Sequence, residues 1–356
     1  MISRSIIEAA PKVLLHDHVD GGLRASSMIE MAQECGYTAL PFMDAVQLAD
    51  WYEVACNSGS LVRYLETFTH TIALMQTREQ IVRVAREAVI DNALSGVVYA
   101  EFRGAPELFT QKGLSLREVV EAHLAGYAEG VEEAAKLGKK IRVETILCGM
   151  RQNDLTLEVA ELAIAMRGQG VCGFDIAGPE KGFPPTDHLD AFNLLRENGV
   201  PFTIHAGEAD GVDSIAKALH ECGALRIGHG VRIIDDIHDG VLSPLAEEIR
   251  NRQIVLEIAP TSNLQTGAAS SYATHPIVEL KRLGFAVTLN TDNRLMSRTS
   301  MSREAEEIVS AHAWTLQDLE DVAINAMNAA FISPAERHEI IENQIKAGYK
   351  ELTHAN

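Results

Sequence analysis

Hydrophobic and polar positions follow two different periods along this 356-residue chain. Short runs rich in apolar and β-branched residues recur at 13–16, 96–102, 141–147, 171–176, 200–205, 225–228, 254–258 and 285–290. Such runs read as buried strands. Between them lie longer stretches such as REQIVRVAREAVIDNALS and LEVAELAIAMRG, with apolar residues three and four positions apart and Gly or Ser near the end. That is the pattern of amphipathic helices. Strand alternating with helix predicts an α/β protein with a parallel sheet, and eight units suit a closed (β/α)8 TIM barrel. An open doubly wound sheet gives the same local pattern.

The polar residues favour the barrel. In order, the strands run into HDHVDGG, EFRGAP, CGMRQND, DIAGPE, HAGEADG, GHGVR, PTSNLQTG and NTDNR. A barrel brings all eight ends to one mouth, where active sites of this fold sit. The connection from about 24 to 95 is longer than one helix requires, and its segments SSMIEMAQECG and SLVRYLETFTHTIALM predict extra helices. Part of this insertion is expected to cover the mouth as a lid, with a packing decoration as the alternative. The segment after 303 predicts further closing helices. Residues 1–356 are therefore expected to form one barrel domain with a helical insertion after strand 1 and extra helices at the C-terminus.

Composition narrows the partners. Hydrophobic residues at 46% and charged residues at 23% supply a large core. A net charge of −19 repels a phosphate-rich polymer, so no nucleic-acid partner is expected. Cys35, Cys56, Cys148, Cys172 and Cys222 are scattered and never in C-x-x-C spacing, so they read as reduced thiols. The first residues, MISRSIIEAAPK, lack the apolar core of a secretory signal, and no run approaches the ~20 apolar residues of a membrane helix. A cytoplasmic protein with no membrane partner is expected.

Of thirteen histidines, four stand at strand ends: His16, His18, His205 and His229. In an extended strand His16 and His18 point the same way. Asp292 stands at the last strand end. Three neutral imidazoles and one carboxylate can bind a divalent transition metal, zinc foremost. Glu208 and His229 are then left without a required ligand role. A metal lowers the pKa of its water, one nearby base can accept that proton, and a protonated carboxyl can serve the leaving side. The site reads as metal-assisted hydrolysis.

HDHVDGGLR, SLVRYLETF, VVYAEFR, FDIAGPE, HAGE, RIGHG, PTSN and LNTDN together resemble the adenosine deaminases, within the adenosine/AMP deaminase branch of the metal-dependent amidohydrolases, in the family's order and spacing. The resemblance covers nearly the whole chain. It implies one zinc per chain held by His16, His18, His205 and Asp292. It further implies Glu208 as the acid that protonates purine N1 and His229 as the group that orients and deprotonates the water. Asp20 matches a ribose-contacting position, Gly178 one whose backbone N–H meets purine N3, and Asn293 one that contacts N7. The implied reaction turns adenosine or deoxyadenosine, a small-molecule purine nucleoside, into inosine or deoxyinosine and ammonia, in purine salvage. The chain departs from the resemblance at Asn293, where many members carry Asp, and at Gly104, where an aromatic is more usual; neutral drift is the expected reading of Gly104, with a larger pocket or looser surroundings of the site as the alternatives.

Other activities remain to be separated. Another 6-aminopurine, such as 6-aminodeoxyfutalosine or adenine, is the alternative substrate. AMP is disfavoured because no basic cluster stands among the strand ends for a 5′-phosphate. A two-metal hydrolase needs a bridging lysine at the end of the fourth strand, whereas Lys181 follows the turn. A purine binder without catalysis has no need of Glu208 beside His229.

Overall fold

A computed structural model describes residues 2–354. Its strands, in chain order, are β1 (Lys12–His18), β2 (Val97–Gly104), β3 (Arg142–Met150), β4 (Val171–Ala177), β5 (Thr203–Ala206), β6 (Arg226–His229), β7 (Ile237–His238), β8 (Val241–Leu242), β9 (Val255–Ile258) and β10 (Val287–Leu289). Leaving aside β7 and β8, the strands run parallel in two sheets ordered β1-β2-β3-β4 and β5-β6-β9-β10. Single parallel bridges join the sheet edges, Asp17 to Asp292 on one side and Phe174 to Phe202 on the other. The ring is closed. An open doubly wound sheet keeps two free edges and is excluded.

Each predicted run lies on one strand of the ring, with its ends displaced by a few residues. β5 starts late because Pro201 has no N–H to give to a ladder. The β7–β8 hairpin departs from the predicted alternation. Its turn is Asp239-Gly240, with φ of 52° and 76°, the left-handed pair that a two-residue hairpin turn requires.

The barrel strands are covered on both faces, so β1 is buried from Lys12 through Asp17. The insertion forms helices at Ala25–Cys35, Ala45–Cys56, Leu61–Glu66 and Phe68–Ala73. The helix leading into β2, Arg78–Leu94, starts at a capping box in which Thr77 and Gln80 each satisfy the other's backbone N–H. After β10 the described residues form helices Met301–His312, Leu316–Ala329, Pro334–Ile340 and Ala347–His354, as expected of the segment after 303. No described helix is long and apolar enough to cross a membrane.

Candidate active site

Barrel closure sets the site. The His18 N–H donates to the Asp292 carbonyl at 2.7 Å and the Asp292 N–H to the His16 carbonyl at 2.9 Å, so the first and last strands present their side chains in fixed register. Asp17, between the histidines, faces the other way and accepts from Thr291 Oγ1 and Arg294 Nε. The alternation expected of an extended HDH segment is therefore present. Asp292 itself has φ of 55°, a strained conformation for a residue with a side chain.

His16, His18, His205 and Asp292 converge, with one potential ligand atom from each within 4.8 Å of the others. His18 Nε2 lies 3.1 Å from His205 Nε2. Asp292 Oδ1 lies 3.3 Å from His16 Nε2 and 3.5 Å from His18 Nε2. A tetrahedral zinc with ligands at about 2.0–2.1 Å would set its donors about 3.3 Å apart. Two imidazole nitrogens facing each other at hydrogen-bond distance, together with a buried His16 Nε2 that has no hydrogen-bond partner, suit a shared cation. The donor set fits a metal such as zinc.

The far side of two rings is braced by carboxylates. His16 Nδ1 lies 3.0 Å from Glu257 Oε2, and His205 Nδ1 lies 2.9 Å from Asp175 Oδ2. Arg103 joins them, reaching Asp175 at 2.6 Å and Glu257 at 2.8 Å. All three charged groups are fully buried, and Arg226 adds a second cation against Glu257 and Glu101. Each carboxylate favours the tautomer that leaves Nε2 free to ligate. Sequence reasoning missed Arg103, Asp175 and Glu257. The available signal was a charged residue inside an otherwise apolar strand, as in VVYAEFRG, VCGFDIA and VLEI.

Glu208 and His229 sit beside this group. Glu208 Oε2 lies 3.6 Å from His229 Nε2, and both residues are buried. Burial, and secondarily the charge of Asp292, push the Glu208 carboxyl up to about 8. Burial pushes His229 down to about 4, so its ring is neutral. Two residues of the PTSN segment, given no role by sequence reasoning, support the pair's surroundings. Ser262 Oγ donates to Asp292 Oδ2 at 2.6 Å, and the Asn263 amide lies 3.1 Å from His229 Nδ1. The atom facing the ring is the amide nitrogen Nδ2, and the Asn263 Oδ1 is buried without a hydrogen-bond partner.

The cavity, of about 190 Å³, is bounded by His18, Asp20, Gly178, His205, Glu208, His229, Asp292 and Asn293. Leu61, Phe68 and Ile72 of the insertion line its outer side. No lysine or arginine is among the described residues that line it. Burial pushes the Asp20 carboxyl up to about 7. Gly178 has φ of 104°, and a Cβ there would stand 2.3 Å from the Gln152 amide oxygen, so only glycine brings backbone to this wall. Asn293 packs against Gly21, where a Cβ would come 1.9 Å from its Oδ1. Gly104 is not among the lining residues, and the nearest atom to a Cβ placed there belongs to Val19, 3.3 Å away. Lys181 is exposed, away from a bridging position.

Fold and donor set together define a class, the metal-dependent hydrolases built on a barrel. The family model described as adenosine deaminase matches residues 11–347. The chain belongs to the adenosine deaminase family, hydrolases of C–N bonds in cyclic amidines. It is 56% identical to adenosine deaminase 1 of Streptomyces coelicolor over 97% of this chain and 89% of that protein. Among solved structures it is similar to Arabidopsis ADAL complexed with IMP, at 26% identity and TM-score 0.82, covering 97% of this chain and 98% of that one. It also shares its fold with a zinc-bound amidohydrolase from Burkholderia ambifaria, at 23% identity and TM-score 0.85, covering 100% and 95%.

Proposed function

We propose that the protein is a cytoplasmic enzyme of purine salvage that hydrolyses adenosine and deoxyadenosine to inosine or deoxyinosine and ammonia, with one zinc per chain. The observation that carries this reading is the placement of Glu208 and His229 at 3.6 Å, beside the three histidines and Asp292 and on the same small cavity. Its strongest support beyond geometry is the 56% identity to a protein named adenosine deaminase 1.

His16, His18, His205 and Asp292 would hold zinc, which supplies Lewis acidity that lets a water lose its proton near neutral pH. The protonated Glu208 carboxyl gives its proton to purine N1, which makes C6 electrophilic. His229 accepts a proton from the attacking water as the new C–O bond forms at C6. The exocyclic amine takes up the proton that His229 accepted, the C6–N6 bond breaks as the C6 hydroxyl becomes the carbonyl and returns its proton to Glu208, and ammonia leaves with N6. Asp20 contacts ribose, and the Gly178 N–H meets N3. The helices over 61–73 exclude water from the site within a single barrel domain. A cavity lined without lysine or arginine suits a nucleoside better than a nucleotide, in contrast to the IMP held by the Arabidopsis neighbour.

Ultraviolet monitoring of adenosine, deoxyadenosine, adenine and 6-aminodeoxyfutalosine tests the reading. Adenosine and deoxyadenosine should turn over fastest; an inert adenosine beside rapid conversion of either other purine overturns it.

Asn293 donates its amide N–H to purine N7, where an Asp would first need a proton. Replacing N7 by carbon leaves a buried donor unpaired, which costs about 1–3 kcal/mol, so kcat/KM for 7-deazaadenosine should fall at least about tenfold. Equal rates on the two nucleosides would place Asn293 as a support for Asp292 instead. The braces behind the histidines give a separate expectation. Asp175→Asn should weaken zinc retention about 10–100-fold, read as faster release to a chelator; unchanged release would show that the brace does not act on the metal.

A further inference from the structure

The turn that carries Glu208 is held by two buried side chains with no part in the scheme above. Glu180, 3% exposed, lies just after β4 and reaches the turn that follows β5. Its Oε1 accepts from the Gly207 N–H at 2.6 Å. Its Oε2 accepts from the N–H groups of Glu208, Ala209 and Asp210 at 3.1, 2.7 and 2.8 Å. Arg151, 2% exposed and next after β3, donates through Nη2 to the His205 carbonyl at 2.6 Å. Two neighbouring barrel strands thus hold one turn from both its N–H and its carbonyl groups.

Four successive N–H groups converging on one point form an anion cradle, here filled by the protein's own carboxylate. The turn needs such a restraint, because Gly207 stands at φ 72° and is the most permissive residue in the segment. The carbonyls of Gly207 and Glu208 are taken by Arg232 through its N–H and its Nε, at 3.0 and 2.7 Å. Glu180 alone gathers the four N–H groups. Both of its oxygens must accept. A glutamine would offer one accepting oxygen and turn an N–H₂ against N–H groups, and an aspartate is one methylene too short to keep both contacts.

We propose that Glu180 is a positioning residue for Glu208, fixing through the N–H groups of 207–210 the backbone from which the acid reaches the substrate. This rests on the reading of Glu208 as the proton donor to N1. Misplacement by about 1 Å can cost on the order of 10² in rate, so Glu180→Gln should lower kcat at least about tenfold. Zinc should stay at one per chain and KM within about threefold, since the ligand nearest this turn, His205, is held separately by Asp175 and by the Arg151 bond to its carbonyl, and Asp20 lies after another strand.

The test is a double-mutant cycle on the full-length, zinc-loaded enzyme with adenosine. If Glu180 acts through Glu208, Glu180→Gln should change the residual kcat of a Glu208→Gln enzyme by less than about twofold, because there is no proton left to aim. An unchanged kcat in Glu180→Gln, or the same fold-loss in both backgrounds, overturns the proposal. Should Glu180→Gln not fold, Glu180→Asp keeps the charge, shortens the reach and runs the same cycle to the same two outcomes. Full activity in Glu208→Gln by itself would instead overturn the assignment of the acid.

Discussion

Glu208→Gln is expected to keep one zinc per chain, bind adenosine and lose turnover by at least about 10²-fold, the effect of deleting a positioned general acid. The substitution preserves shape and replaces the carboxyl O–H donor by an amide N–H, so the cavity wall stays intact while the transferable proton is gone. Burial pushes the Glu208 carboxyl up to about 8, which favours the protonated acid near neutral pH. The sign of the pH effect follows. A raised pKa keeps the working form below it and removes that form as pH climbs through it, so kcat/KM should fall on the alkaline side. A bound dication favours the ionised carboxylate and moves this limb below the value set by burial. In Glu208→Gln the limb should disappear. Turnover near the wild-type level would move the acid role to another residue, and loss of zinc would mean that a ligand had been removed.

The fold was legible because the barrel's construction repeats. Each strand buries both faces, so apolar runs mark all eight, and the polar residues are pushed to the ends that meet at the mouth. His16, His18, His205 and Asp292 stood out for that reason. What could not be read was the pairing of charges across the interior. Arg103 on β2 meets Asp175 on β4 and Glu257 on β9, contacts separated by 72 and 154 positions. No local pattern encodes such a meeting; only closure of the ring brings β2 opposite β9. Glu180 was hidden in the same way, since its four partners lie 27 to 30 positions away in a turn whose shape is not visible in one dimension. The β7–β8 hairpin was overlooked for a different reason. Asp239-Gly240 is a strong local turn signal, but its flanking strands are only two residues each and carry no alternating run.

His16→Ala is expected to abolish both metal retention and turnover. Elemental analysis should give one zinc per chain in the native enzyme and none in the variant. His16 is the ligand with the most to lose, because its ring is fully buried between Glu257 and Asp292. Truncation removes one donor and leaves Glu257 facing Arg103 and Arg226 without its histidine. The pH dependence of metal loss separates this site from a set of exposed histidines. Ligands must be deprotonated to bind, and a free histidine protonates near pH 6.5. Burial holds His18 well below that value, so its ring stays neutral and able to ligate when an exposed imidazole would already be charged. Zinc should therefore be retained through pH 6 and released only under more acidic conditions. Release that tracks an unperturbed histidine would show the site to be open to water, and two metals at full occupancy would show that the second acid group, Glu208 with His229 and Asp292, is also a ligand set.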